Sequence, residues 1–233
     1  MKTPQPKRLS ENPEVAKLLS RAIGRRTISP PRFNLDITYD QAREILSMAV
    51  DARIRALGRT PVPTPEMQSN IARLAVWLSA SSPDAPRGLL LRGPIGNGKT
   101  TLAYALMAAL DTLIDIRSLH LHTLSLSARD INDAAIAAEP TAPERLRRIA
   151  SADILLIDDF GAEPPEILHY GTTLTPVADI ISRRYDRRLS TIITTNLNGD
   201  AISSAYGPRI RDRLREMCIP VNFTAPSFRP RKG

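Results

Sequence analysis

The run Gly93, Pro94, Ile95, Gly96, Asn97, Gly98, Lys99, Thr100 restricts this chain more than any other feature. It fits the pattern G-x-x-x-x-G-K-[ST], follows the apolar stretch Leu89-Leu90-Leu91 and precedes a helical pattern that begins near Thr101. In that strand–loop–helix setting the glycines let successive backbone N–H groups turn onto a phosphate chain. The start of the following helix adds partial positive charge. Lys99 is expected to reach the β- and γ-phosphates, and Thr100 to offer its hydroxyl to Mg2+. A loop of this kind needs a buried strand behind it, so an α/β sheet is expected around residues 88–91.

Further apolar strands are expected at 118–124, 154–157, 191–195 and 219–223. Helical patterns lie at 102–110, 128–137, 144–150, 175–187 and 208–217. Strands alternating with helices predict a parallel, doubly wound sheet. Two helices precede the sheet. The first opens on a capping box, Thr38 with Gln41, carries Ala42, Ile45, Leu46, Ala49, Val50, Ile54 and Leu57 at three- and four-residue spacings, and closes at Gly58. The second is capped by Thr64 with Pro65 in its first turn, and sets Met67, Ile71, Leu74, Ala75 and Leu78 on one face. Residues 1–36, rich in proline and basic side chains, read as a tail with one short helix near 14–23.

Residues 152–159 form an apolar strand ending in Asp158 and Asp159, the expected partner of the phosphate loop. Asp158 is expected to hold Mg2+ through water. Asp159 occupies the place where such ATPases usually carry a glutamate that orients or deprotonates the attacking water, and it is one methylene shorter. Slow hydrolysis, or hydrolysis completed by a partner, is expected from that difference. The strand at 191–195 ends in Asn196, an amide able to orient the same water. The helix at 208–217 presents Arg209, Arg211, Arg213 and Arg215. An arginine donated by a neighbouring subunit can neutralise charge developing on the γ-phosphate, and Arg209 is the first choice, with Arg213 in reserve.

Composition narrows the class further. Of 233 residues, 32 are Lys or Arg and 24 Asp or Glu, a formal charge of +8 that points to an acidic partner such as nucleic acid. Lys99 is the only lysine between Lys17 and Lys232, so the basic surface is arginine. The single cysteine, Cys218, excludes an intramolecular disulfide and a thiolate-rich zinc site. No apolar run approaches ~20 residues, so no membrane partner and a cytoplasmic location are expected. A small-molecule kinase would need an arginine-rich lid that the segment 128–144 is too short to supply, and no LSGGQ-like run suggests an ABC-type ATPase.

Taken together, the phosphate loop, Asp158 and Asp159, the run from Arg184 to Asn196, the run Tyr206 to Leu214 and the closing Ser227-Phe228-Arg229 resemble the DnaC/IstB-like branch of the AAA+ ATPases. That branch includes bacterial and phage replicative helicase loaders and transposition helper ATPases. The resemblance implies an AAA+ core over residues 61–229 with a five-stranded parallel sheet and no C-terminal helical lid, a small helical region at 37–60 placed for partner binding, and a tail at 230–233. It implies ATP and Mg2+ as cofactors. Gly93 to Thr101 and Arg229 would then contact nucleotide, Thr100 and Asp158 the metal, and Asp159, Asn196 and Arg209 would carry catalysis. Asn196 corresponds to sensor 1, Arg209 to the arginine finger and Arg229 to sensor 2. The implied partners are single-stranded DNA, a hexameric replicative helicase and further copies of the chain, with the arginine finger acting in trans. The alternative within the branch is a helper ATPase that binds double-stranded target DNA and recruits a transposase. A nucleotide-dependent adaptor that no longer hydrolyses ATP is a third reading, motivated by Asp159.

Overall fold

The structure, a computed structural model, describes residues 13–26, 32–82, 85–137 and 141–224. A first unit, residues 1–30, contains helix α1 (Pro13–Arg26); residues 31–233 form the second. In the second unit, α2 (Tyr39–Ala56) and α3 (Pro65–Ser79) lead into β1 (Gly88–Arg92), α4 (Lys99–Ile116), β2 (Thr123–Ser127), α5 (Ala128–Ile136), α6 (Ala142–Ser151) and β3 (Ile154–Phe160). A hairpin of β4 (Ile167–His169) and β5 (Thr172–Leu174) follows, then α7 (Pro176–Asp186), β6 (Ser190–Thr195), α8 (Gly199–Tyr206), α9 (Pro208–Met217) and β7 (Cys218–Asn222).

Five strands form one parallel sheet in the order β2-β3-β6-β1-β7. The sheet alternates its side chains between two cores, as a period of two residues requires. Leu89, Leu91, Ile154, Leu156 and Ile192 face α2, α3 and α4, whereas Leu90, Leu155, Ile157 and Ile193 face α5, α7 and α9. Both faces being covered explains why β1 and β3 carry unbroken apolar runs.

Helices start where the sequence provides caps. Thr38 and Gln41 form the expected capping box on α2, Thr64 accepts from the Met67 N–H at the head of α3, and Ser127 with Asp130 makes a second capping box on α5. The apolar face of α2 is used internally. Ala42, Leu46 and Val50 are buried in the same core as Leu74 and Leu106. This packing begins before residue 37: Leu35 is buried, and the Arg32 guanidinium lies over Phe33 and Trp77 and donates to the carbonyls of Trp77 and Ala80. The tail expected through residue 36 therefore gives way to packed chain at Arg32.

Other boundaries moved for identifiable reasons. The strand expected at 118–124 forms at Thr123–Ser127, because Leu119 and Leu121 pack on the core from a loop after the left-handed turn at Ser118. The expected strand at 154–157 runs on to Phe160 across a bulge between Ile157 and Phe160. The hairpin and α8 were not expected.

Arg184 anchors the sheet from behind. Its guanidinium is fully buried and donates to the carbonyls of Ala150, Ala152 and Ser190 and to the Thr191 hydroxyl. Burial pulls its pKa down to about 9, and it clamps α6, α7 and β6 together. Arg184→Met is expected to destabilise the fold by about 3 kcal/mol or more, since several buried acceptors lose their donor at once; urea unfolding at neutral pH would measure it.

Candidate nucleotide site

The carboxyl ends of β1, β6 and β3 lie side by side, and the chemistry-bearing residues sit just beyond them. Gly93 continues β1, its N–H donating to the Thr195 carbonyl at 3.3 Å. Gly93 has φ 153°, and a Cβ there would lie 2.1 Å from the Phe223 carbonyl oxygen, so the loop passes where only glycine fits. Asn97 is buried and donates to that same carbonyl at 3.3 Å, joining the loop to the end of β7. Pro94 and Ile95 are exposed, and Gly96 and Gly98 both take positive φ. Lys99, Thr100 and Thr101 are the first three residues of α4, so three unpaired N–H groups point out of the helix beside the loop.

Lys99 is 4% exposed, and its ammonium donates to the carbonyls of Gly93 and Pro94 at 2.7 Å and to the Asn97 side chain at 3.2 Å. Burial lowers its pKa, and the charges of Asp159 and Asp158 work in the opposite direction.

Asp158 is the centre of the polar network. One of its oxygens accepts the Thr100 hydroxyl at 3.0 Å and the Thr194 hydroxyl at 2.5 Å. Thr194 in turn accepts the Asp159 N–H at 2.8 Å, so one hydroxyl on β6 fixes both aspartates of β3. Thr195 donates to the Phe160 carbonyl at 2.6 Å and accepts the Leu197 N–H at 3.0 Å, completing a second bridge around Asn196. Asp159 itself lies in the bulge with φ 54° and is exposed. A left-handed residue at a strand end re-aims its side chain out of the pleat. Asn196 is exposed one residue past the Thr195–Phe160 pair. Phosphate loop, both aspartates and Asn196 are thus brought together on three adjacent strands.

One expected residue is not gathered there. Arg209, second residue of α9, is exposed and makes no hydrogen bond or ion pair among the described residues. Its neighbours are engaged: Arg211 pairs with Asp212 at 3.0 Å, and Arg213 is largely buried, pairs with Asp186 at 3.2 Å and lies over Tyr185. Arg213 is therefore committed to its own subunit and drops out as the reserve. Arg229 lies outside the described residues.

Thr100 and Asp158 supply two hard oxygens in contact, the donor set that suits Mg2+, which keeps waters and phosphate oxygens for its remaining positions. Among the described residues no group of three or more His, Cys, Asp or Glu is arranged to hold a metal ion. Burial raises the Asp158 pKa above the usual carboxylate range; the Thr194 bond opposes this, Asp159 adds to it, and the Thr100 bond opposes it again. A carboxyl raised in the folded state stabilises most below its unfolded pKa and loses that contribution as pH rises through the folded value. At neutral pH the ionised Asp158 therefore weighs against the fold. Asp158→Asn keeps an oxygen for both threonines and removes the charge. It is expected to raise the melting temperature of the nucleotide-free protein at neutral pH, with the gain shrinking on acidification, as calorimetry at two pH values would reveal.

Sequence reasoning missed the roles of Thr194 and Thr195. The paired threonines immediately before Asn196 were the available signal, since hydroxyls on a fully buried strand need partners.

Residues 69–232 match the family model described as IstB-like ATP binding protein. The chain belongs to the IstB-like ATP-binding family. The fold agrees with that membership: the structure superposes on the crystal structure of the DnaC helicase loader with a TM-score of 0.55 at 21% identity, covering 70% of this chain and 93% of that one. It superposes on the crystal structure of DnaI with a TM-score of 0.56 at 22% identity, covering 80% and 93%. A putative primosome component from Streptococcus pyogenes serotype M3 gives 0.52 at 21% identity, covering 78% and 98%. A search of curated proteins gives no match. This IstB-like chain is thus a DnaC/IstB-type AAA+ protein with the α/β P-loop sheet expected from its sequence. No helix among its described residues is long and apolar enough to cross a membrane.

Proposed function

We propose that the chain is an ATPase that assembles into oligomers on single-stranded DNA and loads a hexameric replicative helicase. The observation that carries the ATPase reading is the Thr194 hydroxyl, which locks Asp158 against Thr100 and positions the Asp159 backbone beside Asn196. Such a network has a use where a metal–phosphate group and an attacking water meet at one strand edge.

In this reading the N–H groups at the head of α4 and Lys99 bind the phosphates of ATP. Thr100, and Asp158 through water, would hold Mg2+, which would supply charge neutralisation at the phosphates. Asp159 orients or deprotonates the water, aided by the Asn196 amide, and Arg209 serves the nucleotide of the next subunit. Asp159 reaches less far than a glutamate, so ATP works as an assembly switch with slow turnover. Arg229 completes the nucleotide contacts. The apolar face of α2 is occupied by the core, which leaves Tyr39, Met48 and Leu57, exposed apolar side chains of this segment, to meet the helicase. Reducing cytoplasm suits a chain with one buried thiol.

The IstB name of the matched family favours a second reading, a transposition helper that binds double-stranded DNA and recruits a transposase. ATP turnover of the full chain with single-stranded or double-stranded oligonucleotides separates the two. Stimulation by single strands, several-fold or more, with a steep decline in added salt, supports the loader. Stimulation confined to duplex supports the helper, and ATP binding with no turnover under any condition supports the adaptor.

A further inference from the structure

Glu163 is a buried carboxylate that the nucleotide site does not use. It lies in the loop after β3, 5% exposed, where it accepts the Tyr206 hydroxyl at 2.5 Å and the Gly161 N–H at 2.9 Å. The loop is tight: Gly161 has φ 95°, and a Cβ there would come 2.4 Å from Leu197, just past Asn196. On its other side Asn132 donates to the Pro164 carbonyl at 2.8 Å. Tyr206 is the last residue of α8, and its ring also packs on Phe160, with centroids 4.4 Å apart. Burial raises the pKa of the Glu163 carboxyl and, first among its causes, that of the Tyr206 phenol, so the pair is a desolvated, strongly held one.

What Tyr206 carries is the connection to Arg209. Gly207, with φ 86°, and Pro208 follow it directly, and Arg209 stands in the first turn of α9. The segment immediately after Asp158 and Asp159 is therefore tied, through one charge-assisted bond and one ring contact, to the turn that aims Arg209. The Gly161 backbone also meets the Tyr206 hydroxyl, a second polar tie between that loop and α8.

We infer that Glu163 and Tyr206 are positioning residues that set the aim of Arg209 toward the neighbouring subunit's nucleotide, so that a subunit's own strand-end segment after Asp159 controls the help it gives next door. This rests on the reading of Arg209 as an arginine acting in trans. The pair is more than a packing staple because of where it sits, between the residues that contact one nucleotide and the residue that serves the next.

The test uses full-length donor subunits that cannot turn over ATP themselves, made with Asp159→Asn, mixed in excess with wild type. Three donors are compared: Asp159→Asn alone, Asp159→Asn with Arg209→Ala, and Asp159→Asn with Tyr206→Phe. Tyr206→Phe keeps the ring against Phe160 and removes the hydroxyl with its contacts to Glu163 and the Gly161 backbone. The expected result is that the Tyr206→Phe donor lowers wild-type kcat about tenfold relative to the first donor, since small misplacements of a catalytic group are amplified, with KM for ATP changed less than about twofold. Glu163→Ala in the same donor should act alike, and it stands in should the phenylalanine donor melt early. If the Arg209→Ala donor suppresses wild-type turnover and both the Tyr206→Phe and Glu163→Ala donors, folded by melting temperature, do not, the inference is overturned while the trans reading stands. If the Arg209→Ala donor itself has no more effect than the first donor, the trans reading fails and takes the inference with it.

Discussion

Alanine at Arg209 is expected to lower ATP turnover by about 10³-fold or more, the range over which an arginine finger acts, while ATP affinity changes little. The argument starts from what the other basic residues of α9 do. Arg211 and Arg213 are held by Asp212 and Asp186 within their own subunit. Arg209 is exposed and bonds to nothing among the described residues. An unengaged guanidinium at the head of a helix loses side-chain entropy only when a ligand fixes it, and under the proposed function a phosphate group in a neighbouring site would be that ligand. Because binding of the neighbour's ATP rests on its own loop, the loss should fall on kcat. Turnover measured at saturating ATP, beside equilibrium binding of a non-hydrolysable analogue, checks both halves. An equal loss in kcat and in affinity would instead mark Arg209 as part of its own subunit's binding site.

Lys99→Ala is expected to reduce turnover by about 10²–10³-fold, the scale for removing one preorganised charge from a developing transition state, and to weaken ATP binding as well. Here the side chain does two things. Its ammonium already gathers the Gly93 and Pro94 carbonyls and the Asn97 side chain, holding the loop in shape without nucleotide. It is also a buried cation whose protonated form the charges of Asp159 and Asp158 favour. Alanine leaves those carboxylates without a counter-charge, so Mg2+ dependence of the residual binding should steepen. Calorimetric titration of ATP with and without Mg2+ would measure this.

Much of the fold was legible because its signals are local. The glycine–lysine loop, the capping box at Thr38, the apolar run into Asp158 and the arginine-rich α9 each reflect a requirement met within a few residues. What escaped notice depends on distant chain. Leu119 and Leu121 look like strand residues until the core beneath them is known. The hairpin escaped because each arm has three residues, and its turn hides in Tyr170-Gly171, where φ values of 47° and 78° suit a tight two-residue connection. In the site, Asp158 and Asn196 could be placed from their strands, but the double role of Thr194 required β3 and β6 to be in register. Arg209 could be put ahead of Arg213 from the sequence, but the engagement of Arg213 by Asp186 and Tyr185, both far back in the chain, could not be read there.

The strand order has a consequence for how the protein is made. β1 and its loop leave the ribosome about a hundred residues before β6 and still further ahead of β7, yet those are the two strands that flank it. Pairings so distant in sequence form late. Until β7 emerges the loop lacks the Phe223 carbonyl on which Asn97 rests, so the phosphate loop is expected to take its final shape only after the strand made farthest from it has paired with β1.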